Sequence, residues 1–363
     1  MWTTDTLEWI DIELTSFCNI KCKGCFRVQS DYADQILNKT YLDINTIRDK
    51  FQKEMFPNIK IINFCGSVDE PCSHPQFFEI IKHFADWNCH INIATNGSLR
   101  TVKWWTELAG ILPSSHKVVW GIDGSDELSE VYREGSNFKK VEQNYRAFIA
   151  AGGKANWQFI SFEHNEHQLE EAREKAKQEG FKEFKTIISH RKDTGGVKHT
   201  KLEVAESSCI SCEHNEHQLE TARQIAKDEG FIEFKTIISH RKDSGGVKHK
   251  KVEAQESPCI SCKYSNQKRI FVNHMGNVIP CCHLNAKMLE YPVSGKNKDK
   301  FEDILQQQDY MTDINLANVS VEQAINGKVW TDIQNSWTSD NKIPRCEQVC
   351  KENKRDKFLK EKL

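Results

Sequence analysis

The sequence lacks any apolar stretch long enough to span a bilayer, and no apolar segment of the signal-peptide type lies near its start. It also lacks an excess of either charge, because 50 Lys and Arg residues stand against 52 Asp and Glu residues. We therefore expect a cytoplasmic protein without a membrane partner, and without the basic surface that nucleic-acid binding needs. A chain of 363 residues has room for about two domains.

Cysteine is abundant, with 14 residues in the chain. In a reducing compartment, grouped cysteines bind metal more often than they form disulfides. Cys18, Cys22 and Cys25 have C-x3-C-x2-C spacing and follow the apolar run from Trp9 to Leu14. Three thiolates from one loop can hold three irons of a [4Fe-4S] cluster and leave the fourth iron open to a small ligand. A structural zinc site is the alternative, but it usually needs a second Cys or His pair nearby, which the following sequence lacks.

This loop resembles the signature of the radical S-adenosylmethionine (SAM) superfamily, in which the cluster loop follows the first strand of a partial (β/α)6 barrel. Members of the superfamily usually have an aromatic residue directly before the third cysteine, where this chain has Gly24. Phe17 and Phe26 flank the loop instead. We predict Phe26 as the contact for the adenine of SAM, with Phe17 as the alternative.

Short apolar strands alternate with amphipathic helices from Trp9 to about His190, which favours a parallel sheet with helices outside. We predict an α/β fold, a partial (β/α)6 TIM-like barrel of the radical SAM type with a small C-terminal α+β domain that binds a cluster. Barrel active sites lie at the carboxyl ends of the strands.

The resemblance implies SAM contacts at several of these strand ends. The predicted contacts are Gly66, Asp69, Glu70 and Pro71 after the second strand, Thr95 and Asn96 after the third, Asp123 after the fourth, and Arg133 in the segment that follows. In the superfamily, the first of these segments holds the SAM amino group, and the arginine pairs with the SAM carboxylate through its fork of donors. Solvated loops and ordinary surface ion pairs are the alternatives.

A segment of 50 residues occurs twice in tandem, at 163–212 and 213–262, and only eleven of its positions differ between the copies. Two copies are too few for a solenoid, so we interpret the repeat as one barrel unit that has been duplicated. The sequence leaves open which copy completes the barrel. The predicted domains are a barrel at 1–208, an extra or barrel-closing unit at 213–258, and a cluster domain at 259–363. The histidines of the repeat are typical of polar helix faces and do not indicate a metal site.

The last cysteines flank a predicted β-hairpin that turns at Gly276. The hairpin and its G-x4-C spacing resemble the SPASM/Twitch extension of radical SAM enzymes, which binds auxiliary iron-sulfur clusters. This chain has fewer cysteines than a full SPASM domain, so the resemblance implies one auxiliary [4Fe-4S] cluster. The candidate ligands are Cys259, Cys262, Cys281, Cys346 and Cys350, where Cys259 competes with Cys262 for one position and Cys282 competes with Cys281. Zinc bound by the same thiolates is the alternative.

The resemblance as a whole implies a radical SAM iron-sulfur oxidoreductase. An external donor such as flavodoxin or ferredoxin would reduce the first cluster, and SAM would be cleaved to a 5′-deoxyadenosyl radical. The radical would abstract hydrogen from a peptide or small-molecule substrate, as a step of oxidative modification assisted by the auxiliary cluster. Two alternatives stay open. One is a radical SAM rearrangement or nucleoside-modifying enzyme with a structural auxiliary cluster, and the other is a non-catalytic metal-binding interaction protein.

Overall fold

The computed structural model describes residues 3–65, 67–188, 197–198, 208–211, 233–238, 260–294, 299–306, 309–350 and 359–362. The chain divides into two compact units. The first comprises Met1–Thr200 with Cys262–Glu347, and the second comprises Lys201–Ser261 with Gln348–Leu363. In the described part of the chain, no helix is both long enough and apolar enough to cross a membrane.

The strands, in chain order, are β1 Trp9–Ile12, β2 Lys21–Cys22, β3 Ile61–Phe64, β4 His90–Thr95, β5 Lys117–Gly121, β6 Arg133–Glu134, β7 Ala155–Ser161, β8 Glu183–Ile188, β9 Ser208–Ser211, β10 Glu233–Ile238, β11 Arg269–Val272, β12 Val278–Ile279 and β13 Leu359–Lys362. The main sheet of the first unit has the order β12-β11-β1-β3-β4-β5-β7-β8. All of its neighbours are parallel except β11 and β12, which form an antiparallel hairpin. The carboxyl ends of the parallel strands therefore meet at one edge.

The α-helices are α1 Phe26–Gln29, α2 Ala33–Ile36, α3 Ile44–Lys50, α4 Phe77–Phe84, α5 Val102–Ile111, α6 Ser129–Tyr132, α7 Phe138–Ala150, α8 Leu169–Gln178, α9 Lys263–Asn266, α10 Cys282–Ser294, α11 Lys300–Gln306, α12 Tyr310–Ile314, α13 Val321–Ile325, α14 Lys328–Ser336 and α15 Pro344–Cys350. Short 3-10 helices lie at Thr4–Thr6, Lys53–Met55, Pro71–Ser73 and Glu166–Gln168. Helix α4 shows why these segments pack on the sheet. Its apolar residues Phe77, Ile80, Ile81 and Phe84 recur at helical spacing and are all buried.

Large aromatic side chains fill the core between the sheet and helices α5 and α7. Trp105 of α5 and Trp120 of β5 have ring centroids 4.5 Å apart, and Phe148 of α7 packs against both rings. All three side chains are fully buried, and each such burial contributes about 1.5–3 kcal/mol to folding. This packing fixes β4, β5 and β7, whose carboxyl ends carry several of the predicted SAM contacts.

The two copies of the repeat place the same strand sequence in different sheets. Glu183–Ile188, from the first copy, pairs with β7 over six residues and forms the edge of the main sheet. Glu233–Ile238, from the second copy, has the same sequence but lies in the sheet of the second unit, parallel to β9 and antiparallel to β13. Within the described residues, the barrel sheet therefore takes its strand from the first copy.

The C-terminal hairpin joins the main sheet through β11, which lies parallel to β1 with Ile10 opposite Ile270. Gly276 has a φ of +83° in the turn, a conformation that favours glycine. The indole of Trp330, on α14, donates a hydrogen bond of 2.8 Å to the carbonyl of Val278 in β12. The predicted hairpin is thus present, and its position beside β1 is a feature that the sequence pattern did not predict.

Candidate active site

A cavity of about 220 Å³ lies at the carboxyl ends of the central strands. Its walls come from the cysteine loop, the acidic loop after β3, the ends of β4, β5 and β7, and the segment of β6. The lining residues are Cys18, Ile20, Cys22, Cys25, Arg27, Ser67, Val68, Asp69, Glu70, Ala94, Thr95, Asn96, Val119, Gly121, Tyr132, Arg133, Gln158 and Ile160. Segments far apart in sequence, including most of the predicted strand ends, therefore share one cavity.

The three cysteines of the loop all line this cavity and are partly accessible. Cys25 caps the N-terminus of α1, and its N–H donates to the carbonyl of Cys22 at 2.9 Å. Burial, together with the nearby charge of Glu70, raises the pKa of the Cys18 thiol above its usual value. The Nδ2 atom of Asn96 lies 3.7 Å from Cys18 Sγ, within reach of a weak N–H to sulfur hydrogen bond. Iron would replace the thiol protons, since only thiolates bind it strongly.

The loop is tied to the predicted Arg133 segment by a two-residue antiparallel ladder. Cys22, in β2, lies opposite Arg133, in β6. The N–H of Lys23 extends the contact by donating to the carbonyl of Tyr132 at 3.1 Å. The second cysteine and Arg133 are thus held together by backbone bonds, a long-range pairing that the sequence did not indicate.

The buried carboxylate of Glu70 is fully engaged by neighbouring donors. Its Oε1 accepts from the Thr95 hydroxyl and its Oε2 accepts from the Asn96 N–H, both at 2.7 Å. Burial raises the pKa of Glu70, and these donors oppose that effect. Glu70 therefore joins the acidic loop to the end of β4, so that Thr95 and Asn96 stand at the cavity.

Asp69 presents a free oxygen in the same cavity. Its Oδ2 accepts from the N–H of Leu14 at 3.2 Å, whereas the buried Oδ1 has no hydrogen-bond partner. Burial, and then the negative charges of Glu13 and Glu70, raise the pKa of Asp69 well above its usual value. A buried unpaired oxygen is costly, so a ligand that donates a hydrogen bond or carries positive charge would stabilise this carboxylate.

Arg133 and Asp123, both predicted SAM contacts, form an ion pair with each other. Arg133 Nε lies 2.8 Å from Asp123 Oδ2, and Asp123 is fully buried. Asp123 does not appear in the cavity lining, whereas Arg133 does. Gly121 provides the space for the guanidinium, because a Cβ there would lie 2.7 Å from Nη2 of Arg133. The predicted pairing of Arg133 with a ligand carboxylate stays a prediction.

The other predicted contacts are less central to the cavity. Phe26 begins α1 and is half-buried, but neither it nor Phe17 belongs to the lining. Pro71 is buried in the 3-10 helix behind Glu70. Gly66 lies outside the described residues.

The sequence reasoning missed several lining residues, among them Arg27 and Gln158. Arg27 donates from Nη1 to the carbonyls of Ser16 and Val68 at 2.5 and 3.0 Å. Gln158 lies in strand β7, which also contains the polar residues Asn156 and Ser161, so its polarity alone does not distinguish it. Nothing in the local sequence distinguishes Arg27 from an ordinary surface arginine.

The structure describes all of the predicted auxiliary cysteines except Cys259. Cys262, Cys281 and Cys346 belong to the first unit and are buried. Burial and the adjacent Cys282 raise the pKa of Cys281 to about 12, and Cys346 lies near enough to add to the effect. Cys350 belongs to the second unit, and Cys259 lies outside the described residues.

Among the described residues, no group of three or more His, Cys, Asp or Glu side chains is arranged around a single metal position. A mononuclear zinc site would need ligands about 2.3 Å from one point. A [4Fe-4S] cluster instead binds each thiolate to a different iron, so its ligands stand around a larger volume. Cys18, Cys22 and Cys25 are partly accessible and share the wall of one cavity.

Comparisons with known proteins agree with the fold. No family model matches the chain. Among curated proteins, it is 30% identical over 124 residues to the tungsten-containing aldehyde ferredoxin oxidoreductase cofactor-modifying protein of Pyrococcus furiosus. The match covers 31% of this chain and 33% of that protein, so it spans only about a third of the relative's length.

Solved structures match over far more of the chain. The structure of anSMEcpe with bound AdoMet has a TM-score of 0.52 at 15% identity, and the match covers 91% of this chain and 84% of that one. Streptococcus suis SuiB bound to S-adenosylmethionine has a TM-score of 0.50 at 12% identity, with 95% and 68% covered. Both neighbours were solved with S-adenosylmethionine bound. The predicted fold, a partial barrel of the radical SAM type, is confirmed.

Proposed function

We propose that this chain, which has the radical SAM fold, is an enzyme that reductively cleaves SAM at a [4Fe-4S] cluster bound by Cys18, Cys22 and Cys25. The 5′-deoxyadenosyl radical would then abstract hydrogen from a peptide or small-molecule substrate. One observation carries the proposal. The three cysteines, the acidic loop and the Thr95-Asn96 turn, all far apart in sequence, line a single cavity at the carboxyl ends of the strands.

The cluster, when bound, would supply the electron that breaks the sulfur-carbon bond of SAM. The chain's own residues would bind and orient SAM and keep water away. Asp69 offers a free carboxylate oxygen for the SAM ammonium group, and Glu70 holds the adjacent turn of Thr95 and Asn96 in place. Such positioning is the protein's main contribution to a reaction whose chemistry belongs to the cofactor.

We also propose one auxiliary [4Fe-4S] cluster. Three of the predicted ligands, Cys262, Cys281 and Cys346, are buried thiols of the first unit. Buried thiols are costly to ionise, and iron would offset that cost by binding the thiolates. Cys350 remains the predicted fourth ligand, and Cys259 remains the predicted alternative to Cys262.

Two substrate classes have separate support. One structural neighbour, anSMEcpe, was solved with AdoMet and a peptide, and that match has a TM-score of 0.51. The curated relative from Pyrococcus furiosus is instead named for modifying a metal cofactor. We propose a peptide substrate first, because the structural match covers 91% of the chain and the curated match covers 31%.

Anaerobic reconstitution tests the proposal. We expect about eight irons per chain, since two [4Fe-4S] clusters hold four each, and formation of 5′-deoxyadenosine after reduction with dithionite. Replacing Cys18, Cys22 and Cys25 with Ala should remove about half of the iron and abolish SAM cleavage.

Cys89→Ala is the matched control, because Cys89 is a buried thiol outside the cavity. This variant should keep full iron content and full cleavage. Stoichiometric zinc without SAM turnover in the wild-type protein would contradict the proposed function.

A further inference from the structure

The side-chain amide of Asn96 is fixed beside the first cysteine of the loop. Its Oδ1 accepts from the N–H and the hydroxyl of Ser98, at 2.9 and 2.7 Å. Its Nδ2 donates to Asn19 Oδ1 at 3.0 Å and lies 3.7 Å from Cys18 Sγ. Because the two donors of Ser98 identify the amide oxygen, the N–H groups of Asn96 must face Asn19 and Cys18.

Three side chains close this arrangement into a hydrogen-bonded ring. Asn19 Nδ2 donates to the Ser98 hydroxyl at 2.9 Å, that hydroxyl donates to Asn96, and Asn96 donates back to Asn19. Asn96 and Ser98 are both buried. The ring therefore joins Asn19, the residue after Cys18, to the turn that ends β4, and it leaves the second N–H of Asn96 for the sulfur.

All of the hydrogen-bonding capacity of the Asn96 side chain is used in this way. A side-chain amide has two N–H donors and two lone pairs on its oxygen, and Asn19, Cys18 and Ser98 engage them all. The side chain thus has no polar group left over for a ligand in the cavity. Its effect on the chemistry of the site must pass through Cys18.

We propose that Asn96 donates a hydrogen bond to the thiolate of Cys18 and so raises the reduction potential of the cluster that the cysteine loop binds. The inference rests on the proposed function for the presence of that cluster. Reduction adds one electron from the external donor, and part of the added negative charge lies on the sulfurs. An N–H group that faces a sulfur stabilises this more negative state, since hydrogen bonds to the sulfurs are among the factors that set cluster potentials. The N–H bond stays intact, and no proton is transferred.

A redox titration of the anaerobically reconstituted full-length protein, followed by EPR, tests the proposal. The first cluster is identified by the signal that is missing when Cys18, Cys22 and Cys25 are replaced with Ala. Asn96→Leu keeps the backbone N–H that donates to Glu70 but loses the donor to the sulfur. At a fixed solution potential, the ratio of reduced to oxidised cluster should fall about three- to tenfold in this variant, where tenfold corresponds to about 59 mV for one electron.

SAM binding to the oxidised protein separates this role from a direct contact with SAM. Because the Asn96 side chain has no polar group left over, Asn96→Leu should change the affinity for SAM by less than about twofold. A large loss of SAM affinity at an unchanged reduction potential would identify Asn96 as a SAM contact and would contradict the inference.

Ser98→Ala is the matched control for damage to the ring. It removes the hydroxyl that links Asn19 to Asn96, but it retains the Ser98 N–H that holds the amide oxygen. This variant should lower the unfolding midpoint, as Asn96→Leu does, and leave the reduction potential unchanged. Equal shifts of the potential in both variants would mean that distortion of the ring, and not the donor, is responsible.

Isotopic labelling of the wild-type protein decides the matter if Asn96→Leu does not retain iron. Asparagine that carries ¹⁵N only in its side-chain amide should then give a nitrogen hyperfine coupling to the reduced first cluster in ENDOR spectra. Absence of that coupling, or a wild-type potential in an iron-loaded Asn96→Leu protein, would show that the inference is wrong. A protein that shows the shifted potential but does not cleave SAM would overturn the proposed function alone, and a wild-type protein without iron at the cysteine loop would overturn both.

Discussion

Two adjacent acids in the cavity have different hydrogen-bond environments. Glu70 accepts on both oxygens, from Thr95 and Asn96, whereas Asp69 accepts from Leu14 on one oxygen and its other, buried oxygen has no partner within hydrogen-bond distance among the described residues. A carboxylate with both oxygens engaged acts as part of the framework, and one with a free oxygen can bind a ligand. The two acids therefore have different functions, although the sequence predicted both as SAM contacts. Asp69 can bind a ligand, and Glu70 holds the surrounding framework.

Asp69→Asn and Glu70→Gln should therefore impair different properties. The first should weaken SAM binding, and the second should lower the stability of the fold. Asp69→Asn is expected to weaken SAM binding about tenfold or more, because the charge facing the ammonium group is lost. Glu70→Gln is expected to lower the free energy of unfolding by about 1–3 kcal/mol, because its amide NH₂ would replace one of the two oxygens that accept from Thr95 and Asn96. SAM titration and urea unfolding measure the two effects.

A surface variant, Glu79→Gln, provides the baseline for both measurements. Glu79 forms an exposed ion pair with Arg48, so its loss should change stability by less than about 1 kcal/mol and leave SAM binding intact. Strong SAM-binding loss in Glu70→Gln with none in Asp69→Asn would contradict the assignment.

The sequence predicted the residues whose spacing is local. Cys18, Cys22 and Cys25 share one loop, and Thr95 and Asn96 end a strand, so a pattern of a few residues sufficed to find them. Arg27 could not be found in this way, because its position depends on a carbonyl of Val68, which folding brings next to it. The ion pair between Arg133 and Asp123 likewise depends on folding, which places the Arg133 side chain beside Gly121 at the end of β5.

At the scale of elements, a ladder of only two residue pairs holds the cysteine loop. Strands β2 and β6 pair through two residues each, and the pairing sets Cys22 opposite Arg133. Gly135 follows β6 with a φ of +86°, the left-handed region that favours glycine. A Cβ on Gly135 would meet no atom closer than 3.8 Å, so only backbone strain opposes a side chain there.

Gly135→Ala should therefore cost about 1 kcal/mol of stability and also loosen the cysteine loop. We expect reduced iron content after reconstitution and weaker SAM binding, because the β2 and β6 ladder would be distorted. Iron analysis, SAM titration and thermal unfolding measure the outcome.

Gly152 offers a matched control for this prediction. It has a φ of +90°, and nothing lies within 4 Å of a Cβ placed there, but it belongs to the turn after α7. Gly152→Ala should cost similar stability and leave iron binding unchanged. Equal loss of iron in both variants would mean that general strain, and not the ladder, controls the loop.

The alternation of strands and helices was predictable because each element carries its own periodic pattern. The parallel pairing of β11 with β1 was not, because residues about 260 positions apart form it and no local signal specifies the partner. The short ladder of β2 and β6 escaped prediction for the same reason, since two residues are too few to show a period.

At the scale of the whole molecule, the repeat raises the question of why the first copy serves the barrel. The strands at Glu183–Ile188 and Glu233–Ile238 are identical, so the difference must lie elsewhere in the copies. Lys175 is one of the eleven positions that differ, and the second copy has Ile225 there. Lys175 donates to the carbonyl of Ser125 at 2.8 Å and pairs with Glu142 at 2.9 Å.

The contact of Lys175 with Glu142 connects helix α8 of the first copy to helix α7. The ammonium group of Lys175 also lies 4.8 Å from the ring centroid of Phe138. An isoleucine at this position could make none of the polar contacts. The side chain is about a quarter exposed, so solvent reduces their combined value to about 1 kcal/mol.

Deletion of one copy at a time would measure how this difference between the copies affects stability. Removal of 213–262 joins Cys212 to Lys263 and puts Cys209 and Cys212 in the places of Cys259 and Cys262. Removal of 163–212 gives a chain that differs only at the eleven variable positions. Both proteins should fold, because either copy supplies a strand for the edge of the sheet and a cysteine pair before α9.

We expect the protein that retains the first copy to be more stable by about 1 kcal/mol, because it alone keeps Lys175. Ile225→Lys in the other deletion protein should restore most of that difference. Urea unfolding measures the gap, and iron content after reconstitution shows whether the retained cysteine pair replaces the missing one. Equal stability of the two deletion proteins would contradict the role of Lys175, and failure of both to fold would show that the barrel needs the second copy as well.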